Sequence, residues 1–463
     1  MHESPSGASH YRLVCSACGH RRTDDGLTLN CHEQHGPALW KTEYDAPAVA
    51  PDPAGRGVFR YHSWLPVRRT FDAVGHTSVY RSERLAARLG LDELWVAFNG
   101  YWPERGAHLE SGSFKELEAA TVLGRIPREA GTLVISSAGN TATAFIELCT
   151  SHGVPAVVIV PETALARMTT RSRAGAARGV AGGETGGDAV RIIAVEGSDY
   201  ADAIALGDAV ARQPGFVSEG GTRNVGRRDG LGSVLLAAHE TIGALPDYYV
   251  QAIGSGAGAI AVHEAARRIS GLPAVGPSPA TAALPRLVLA QNADFAPVHQ
   301  AWHTGERPWT AASEAEQRAA AHRAFAPELT NRKPPYDVRG GLYDALSESS
   351  GQVLTADATA ARTAMETFRA LEGIDIEPAA GVALAALTAA AREGRIERTA
   401  RVLLNITGGG RARLAQDHVL EPLRPDLTVS RELVHRVAGD PDGVEAAEIA
   451  GAVRGGGRLA MAV

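Results

Sequence analysis

Short apolar runs alternate with helical patterns from about residue 80 onward. Between these runs, apolar residues recur at the spacing of a helix face, and several helical segments stop at a glycine. The alternation predicts an α/β protein whose parallel sheets are covered by helices on both faces. The predicted strands are 94–98, 133–137, 156–160, 249–253, 287–290 and 402–406, and the predicted helices are 140–153, 229–243, 257–270 and 378–394.

The N-terminal segment follows a different pattern. Residues 1 to about 60 have few long periodic runs, and the breaker-rich stretch 46–57 predicts a linker. Three cysteines and a histidine in this segment follow the spacing C-x2-C-x12-C-x3-H, namely Cys15, Cys18, Cys31 and His35. That spacing resembles a zinc ribbon and predicts a structural Zn²⁺ site, with His32 as the alternative last ligand. Cys149 lies in an apolar helical stretch and is expected in the core.

Composition and charge narrow the classes of function. The 463 residues argue for two or three domains, and a net charge of −6 provides no cationic field for a nucleic acid or an anionic membrane. No apolar run approaches the ~18 residues of a membrane span, and the N-terminus lacks a signal-peptide pattern, so we expect a cytoplasmic protein. Of 46 basic residues only three are lysines, so any imine must form on Lys41, Lys115 or Lys333.

The first candidate site is Ser111-Gly-Ser-Phe-Lys115, in which a lysine opens a helix. The positive potential at a helix N-terminus disfavours the lysine cation and favours a neutral amine or an imine. Lys115 is therefore poised for chemistry, although the motif alone also fits an ordinary surface lysine. Lys41 and Lys333 are expected in solvent or at the rim of the site.

Three further motifs follow predicted strands. Ser136-Ser-Ala-Gly-Asn-Thr141 suits a carboxylate at a helix start, or forms an ordinary turn with an N-cap. Gly254-Ser-Gly-Ala-Gly258 suits one phosphate monoester, because it lacks the Lys-Ser/Thr tail of a P-loop and the glycine spacing of a dinucleotide site. Thr407 supplies a strand-end hydroxyl that suits a heterocycle nitrogen or caps the turn. Together with the amine, these groups indicate pyridoxal phosphate bound to an amino acid.

The order of these motifs, followed by Glu377-Pro-Ala-Ala-Gly381, resembles the fold-type II pyridoxal-phosphate enzymes of the tryptophan synthase β-subunit superfamily. The resemblance covers about residues 60–425. It points to the threonine synthase branch and, within it, most of all to the cysteate synthases, on the stretches 98–104, 113–118 and 405–410.

The resemblance also implies an arrangement of domains. Beside the zinc-ribbon-like segment 1–60, we expect two doubly wound α/β domains. The large one would comprise residues 61–110 plus 217–463, and the smaller, movable one residues 111–216. A homodimer is implied by the resemblance alone.

The resemblance implies a role for the residues of each motif. Lys115 would carry the cofactor as an imine, Asn140 would contact its ring hydroxyl and Thr407 its ring nitrogen. Its phosphate would be held by the backbone of Gly254, Ser255, Gly256, Ala257 and Gly258. The substrate carboxylate would be bound by Ser136, Ser137 and Thr141. The candidates for the substrate phosphate are Ser111, Ser113 and the segment 222–229, above all Arg223. Arg227 and Arg228 in that segment are expected on a solvated face.

Cysteate synthases exchange the phosphate of O-phospho-L-serine for sulfite, so the resemblance implies a β-replacement through an aminoacrylate, with Lys115 as the base. Gly409 and Glu116 replace a His and an Asp of many threonine synthases, which disfavours γ-replacement. The alternatives are a threonine synthase acting on O-phosphohomoserine and a phosphoserine-dependent cysteine synthase. Two alternatives belong to other classes of protein: a non-catalytic zinc-ribbon binding module and a nicotinamide oxidoreductase. The glycine spacing disfavours the oxidoreductase.

Overall fold

The chain folds into two units, each built on its own parallel sheet. The first unit comprises residues 1–125 and 221–414, and the second comprises residues 126–220 and 415–463. The computed structural model describes residues 2–3, 10–72, 74–137, 139–171, 189–277, 279, 283–308 and 312–455.

The strands are β1 His2–Glu3, β2 Tyr11–Cys15, β3 Arg21–Arg22, β4 Trp40–Tyr44, β5 Arg69–Thr70, β6 Ser78–Arg81, β7 Glu93–Phe98, β8 Tyr101–Trp102, β9 Ala107–His108, β10 Thr132–Ser136, β11 Ala156–Pro161, β12 Thr169–Arg171, β13 Val190–Glu196, β14 Phe216–Ser218, β15 Tyr248–Ala252, β16 Arg286–Asn292, β17 Gln352–Ala356, β18 Arg401–Ile406, β19 Leu420–Pro422 and β20 Leu427–Ser430.

The α-helices are α1 Glu83–Leu89, α2 Lys115–Arg125, α3 Asn140–His152, α4 Glu162–Leu165, α5 Tyr200–Arg212, α6 Val225–Ile242, α7 Ala257–Ile269, α8 Pro297–Thr304, α9 Glu314–Arg323, α10 Leu342–Glu348, α11 Ala358–Glu372, α12 Pro378–Arg392, α13 Arg411–Asp417, α14 Arg431–Gly439 and α15 Val444–Gly455. Short 3-10 helices span Gly57–Trp64, Pro103–Arg105, Gly221–Arg223 and Pro327–Leu329. Among the described residues, no helix combines the length and the apolar character needed to cross a membrane.

The sheet of the first unit has six strands in the order β17-β16-β15-β18-β7-β6. All neighbours are parallel except β6 and β7. In β18, Leu404 pairs with Val250 of β15 and Val96 of β7, and all three side chains are buried. Helix α12 packs against β15, β16, β17 and β18. Burial of whole strands explains why β15 and β18 are mainly apolar in sequence.

The sheet of the second unit has five parallel strands in the order β14-β10-β11-β13-β20. Strand β11 is buried along its whole length, which matches its unbroken apolar sequence. Helix α5 packs on β10 and β11 and begins with a capping box between Asp199 and Asp202. The carboxyl end of β10 leads through a short loop into α3.

The N-terminal strands form a small antiparallel sheet in the order β3-β2-β4, within the first unit. Tyr11, Leu13 and Trp40 bury their side chains there together with Val225 of α6. This zinc-ribbon-like sheet therefore shares its core with a helix of the first unit.

The predicted fold class is confirmed, because the strands of both large sheets are parallel apart from the β6–β7 pair and are connected through helices. The six predicted strands correspond to β7, β10, β11, β15, β16 and β18, with ends that differ by no more than two residues. The helix predicted over 229–243 begins earlier, at Val225, where the Asn224 side chain accepts the Gly226 N–H and caps it.

The structure divides the chain differently from the predicted domain limits: residues 1–60 and 111–125 fall in the first unit, and residues 217–220 and 415–463 fall in the second. Residues 111–125 belong to the first unit, because α2 packs so closely on α6 that a Cβ at Gly230 would lie 2.5 Å from the Leu117 carbonyl oxygen. Residues 415–463 belong to the second unit, because β20 extends its sheet by pairing with β13.

Candidate active site

Three of the four motifs meet at one edge of the first unit. Strands β15 and β18 are parallel neighbours, so their carboxyl ends lie side by side. The loop 254–258 follows β15, and Thr407 follows β18. The segment before Lys115 reaches the same edge, because the Phe114 N–H donates to the Thr407 carbonyl oxygen at 3.0 Å. The topology therefore brings together the amine, the glycine-rich loop and the strand-end hydroxyl.

The glycine-rich loop after β15 has the geometry of an anion cradle. Gly256 has φ +79°, which favours glycine, and forms the N-cap of α7. The first N–H groups of a helix have no intrahelical partners and attract an anion. A Cβ at Gly254 would lie 3.0 Å from the Glu328 carbonyl oxygen, and the Ser255 Oγ accepts the Ala257 N–H at 3.3 Å. The loop is thus narrow, fixed and suited to a phosphate.

Ser113 is a second indication that a ligand belongs at this edge. Its side chain is fully buried, and its Oγ has no hydrogen-bond partner within the part of the chain that the structure describes. A buried hydroxyl left without a partner costs about 1–3 kcal/mol. The buried Ser111 donates its hydroxyl to the Ser113 carbonyl oxygen at 3.3 Å. These residues fit a phosphate-bearing molecule, which would supply the acceptor that Ser113 lacks.

Lys115 is the first residue of α2, and its side chain is 20% exposed. Its Nζ donates to Oε2 of Glu118 at 3.1 Å and lies 4.8 Å from the centre of the Phe114 ring. Glu118 is fully buried, and its Oε1 pairs with Nη1 of Arg227 at 2.8 Å. The amine is therefore accessible and is held by a buried carboxylate.

Glu118 and Arg227 form a part of the site that the sequence did not reveal. The expectation that Arg227 and Arg228 lie on a solvated face is wrong: both are buried in α6, since Glu118 and Glu264 pair with them. The helix pattern did contain a signal for Glu118, because residues three apart share one helix face. Arg223 is exposed, in the 3-10 helix before α6.

Glu116 fixes the segment that precedes Lys115. Its carboxylate accepts the Ser111 N–H at 2.8 Å and the Gly75 N–H at 3.3 Å. Burial raises the pKa of Glu116 to about 7, against the opposing effect of these N–H groups. The Glu116 side chain thus holds the backbone of Ser111 and Gly75 in place.

The fourth motif lies in the second unit, at the carboxyl end of β10. The Ser137 Oγ accepts the N–H groups of Gly139 at 3.3 Å and Ala142 at 3.1 Å, so it caps the start of α3. Asn140 and Thr141 are the first residues of that helix, and Ala138 lies outside the described residues. Ser136 ends the strand, and its Oγ packs against Gly207 of α5, where a Cβ would lie 2.0 Å away. The Ser136 side chain is therefore directed to a helix of its own unit.

The N-terminal cluster has the form of a metal centre. The ligand atoms of four side chains lie within 4.8 Å of one another: Cys15, Cys18, Cys31 and His35. The His35 Nδ1 lies 2.6 Å from the Gly36 carbonyl oxygen, which leaves Nε2 facing the Cys15 Sγ at 3.3 Å. A backbone carbonyl on the second ring nitrogen is the usual way to orient a metal-bound histidine. The donor set and spacing fit tetrahedral Zn²⁺.

Buried ion pairs join the zinc-ribbon-like sheet to the helices of the candidate site. Asp24 accepts from Nε and Nη2 of Arg125, the last residue of α2, at 2.8 and 2.7 Å, and both side chains are 0% exposed. Lys41 pairs with Glu264 of α7, which also accepts from Arg228 at 2.9 Å. The expectation that Lys41 lies in solvent or at the rim is therefore wrong, because this carboxylate draws it into the interior.

Comparison with known proteins places the chain in a family. Residues 70–408 match the family model described as pyridoxal-phosphate dependent enzyme. The chain therefore belongs to the pyridoxal-phosphate-dependent enzymes, and its cofactor is pyridoxal phosphate. Among similar curated proteins, the cysteate synthase of Methanosphaerula palustris is 45% identical over 443 residues, which cover 93% of this chain and 96% of the relative. The cysteate synthase of Methanoculleus marisnigri is 44% identical over 423 residues, or 90% and 93% of the two chains.

Solved structures share the fold. Maize serine racemase superposes with a TM-score of 0.53 at 18% identity, covering 74% of this chain and 91% of the racemase. Serine racemase from Dictyostelium discoideum gives 0.51 at 15% identity, with 72% and 92% covered. The family resemblance found in the sequence is confirmed by the family model and by the curated relatives.

Proposed function

We propose that this chain exchanges the phosphate of O-phospho-L-serine for sulfite and so produces L-cysteate and phosphate. The observation that carries the proposal is the similarity to cysteate synthases over at least nine-tenths of the chain. The grouping of Lys115, the loop 254–258 and Thr407 supports it, because a β-replacement needs a cofactor lysine beside a phosphate cradle.

In the proposed reaction, different residues of the first unit bind the cofactor and transfer the proton. Pyridoxal phosphate, when bound, supplies the electron sink that acidifies the α-carbon of an amino acid. The N–H groups of the loop 254–258 hold the cofactor phosphate, and Thr407 is the neutral partner of the ring nitrogen. Lys115 Nζ removes the substrate's α proton, keeps it during the exchange, and returns it to the same carbon.

The exchange at the β-carbon balances without a further reactant. The C–O bond breaks, and phosphate leaves with the bonding electron pair. A lone pair on the sulfur of sulfite forms the new C–S bond. Because the proton that Lys115 takes is returned, no oxidant or reductant is consumed.

The remaining contacts are proposed by residue. Asn140 binds the cofactor ring hydroxyl, and the substrate carboxylate is bound by Ser137 and Thr141, because the Ser136 Oγ packs against Gly207. The substrate phosphate is bound by Ser111, Ser113 and Arg223. The unpartnered, buried hydroxyl of Ser113 supports this last assignment. A homodimer and a cytoplasmic location stay predictions from the sequence.

Titration of the purified protein with O-phospho-L-serine tests the reaction. We expect the visible absorption to change, phosphate to be released, and sulfite to restore the spectrum with formation of cysteate. Release of threonine from O-phosphohomoserine, or of cysteine with sulfide, in place of cysteate would assign one of the alternative reactions. A colourless protein that takes up no pyridoxal phosphate would support the non-catalytic alternative.

We also propose that Cys15, Cys18, Cys31 and His35 bind one structural Zn²⁺. Metal analysis of the purified chain is expected to give about one zinc per chain, and Cys31→Ser to lose it and lower the thermal midpoint, because zinc binding contributes directly to folding. Cys149→Ala is the matched control, since this buried cysteine lies in α3, outside the cluster. Equal zinc contents in Cys31→Ser and the parent would contradict the assignment.

A further inference from the structure

Glu118 is a fully buried carboxylate of α2 to which the reaction described above assigns no role. A buried charge is costly unless it is paired. Both of its oxygens are engaged by cations, Oε2 by Lys115 at 3.1 Å and Oε1 by Arg227 at 2.8 Å. Glu118 lies three residues after Lys115 on α2, so the two side chains share one face of the helix.

We propose that Glu118 is a positioning residue for Lys115: its carboxylate stabilises the ammonium that Lys115 Nζ becomes when it takes up the α proton, and Arg227 limits the strength of this stabilisation. The inference rests on Lys115 being the cofactor lysine, as in the proposed function. In addition to Lys115 itself, Glu118 and Arg227 would then determine how strongly Nζ binds its proton.

The physical need for such a partner comes from the position of Lys115. The amine lies at the N-terminus of α2, where the helix dipole disfavours a cation. During each turnover the free amine has to take the α proton and keep it. A carboxylate 3.1 Å away stabilises that ammonium. The guanidinium of Arg227 is permanently positive and offsets part of the carboxylate's charge, so that Nζ can release the proton again.

The other charged groups of the two packed helices face elsewhere in the described structure. On α6, Arg228 pairs with Glu264 and Asp229 accepts from Arg268. On α2, Glu116 accepts N–H groups of the preceding loop, and Arg125 pairs with Asp24. Glu118 contacts Nζ directly, and Arg227 acts on Nζ through its pairing with Glu118.

Competitive labelling of lysine amines against pH tests the inference. The full-length chain, freed of cofactor, is labelled with trace acetic anhydride, and the peptides are quantified by mass spectrometry. With three lysines in the chain, Lys115 is read separately, and the exposed Lys333 serves as the internal reference. We expect Glu118→Gln to lower the pH of half-labelling of Lys115 by about one unit or more. Arg227→Gln is expected to raise the pH of half-labelling of Lys115, because no guanidinium then offsets the negative charge of Glu118.

Shifts of opposite sign in the two variants indicate that the charges of Glu118 and Arg227 act on Lys115. A general destabilisation of the fold would shift the pH of half-labelling in the same direction in both variants. Unchanged half-labelling in both variants, or shifts of the same sign, would overturn the inference. If Glu118→Gln does not fold, Arg227→Gln decides alone, since the inference requires a rise. Turnover of O-phospho-L-serine is measured separately on the holoenzyme. If the labelling shifts are opposite but no turnover is found, the proposed reaction is wrong and the inference about Glu118 is still supported.

Discussion

Lys115→Ala is expected to lower the rate of cysteate formation by about 10³-fold or more, because one side chain supplies both the covalent attachment and the general base. The variant should also lose the covalent link to the cofactor. Borohydride reduction followed by peptide mass analysis measures the link, and phosphate release measures the rate.

Lys333→Ala is the matched control, because Lys333 is exposed and is one of only three lysines. It should keep both the link and the rate. A Lys115→Ala protein that still carries reduced cofactor on another lysine would remove Lys115 from its proposed role, and with it the inference about Glu118.

Arg125→Met is expected to lower the free energy of unfolding by about 3–5 kcal/mol, because it leaves the Asp24 carboxylate buried without its cation. The pKa of Asp24 lies below its ordinary value: burial alone would raise it, and the hydrogen bonds and charge of Arg125 outweigh burial. The contribution of this carboxylate to stability is therefore present at neutral pH and is lost as the pH falls through its lowered pKa. Urea unfolding at neutral pH measures the loss.

Arg21→Met provides the comparison for Arg125→Met. Arg21 pairs with Glu43 at 3.0 Å in the same zinc-ribbon-like sheet, but the side chains are 54% and 39% exposed. An exposed pair is worth about 0–1 kcal/mol. Similar losses of unfolding free energy in the two variants would show that burial does not make the Asp24–Arg125 pair more important for stability than an exposed pair.

Six strands of the two large sheets could be predicted from their apolar runs, whereas β6, β13, β14, β17 and β20 were not predicted. A strand buried on both sides needs apolar residues at nearly every position, so β11 and β18 stand out without any knowledge of their neighbours. The strand-end motifs could be found for a related reason. Parallel strands place their following loops at one edge, and small or polar residues directly after an apolar run mark that edge.

The buried charges could not be predicted in the same way. Arg228 is 0% exposed because Glu264, on a different helix, accepts from it. Lys41 is buried by the same carboxylate, which lies 223 residues further along the chain. Pairing over such distances leaves no local pattern, so the usual exposure of charged residues gave the wrong expectation. Glu118 differs, because its spacing from Lys115 was visible and only its burial was not.

The position of β18 sets an order of events during synthesis of the protein. Because β18 lies between β15 and β7, a nascent chain that ends before Arg401 contains two separate sheet fragments. One fragment exposes the edge of β7 and the other the edge of β15, and both edges are built from residues meant for the interior. Such edges pair readily with other chains. The first unit therefore depends on late-arriving sequence to close its sheet, and until β18 is made both edges are open to pairing with other chains.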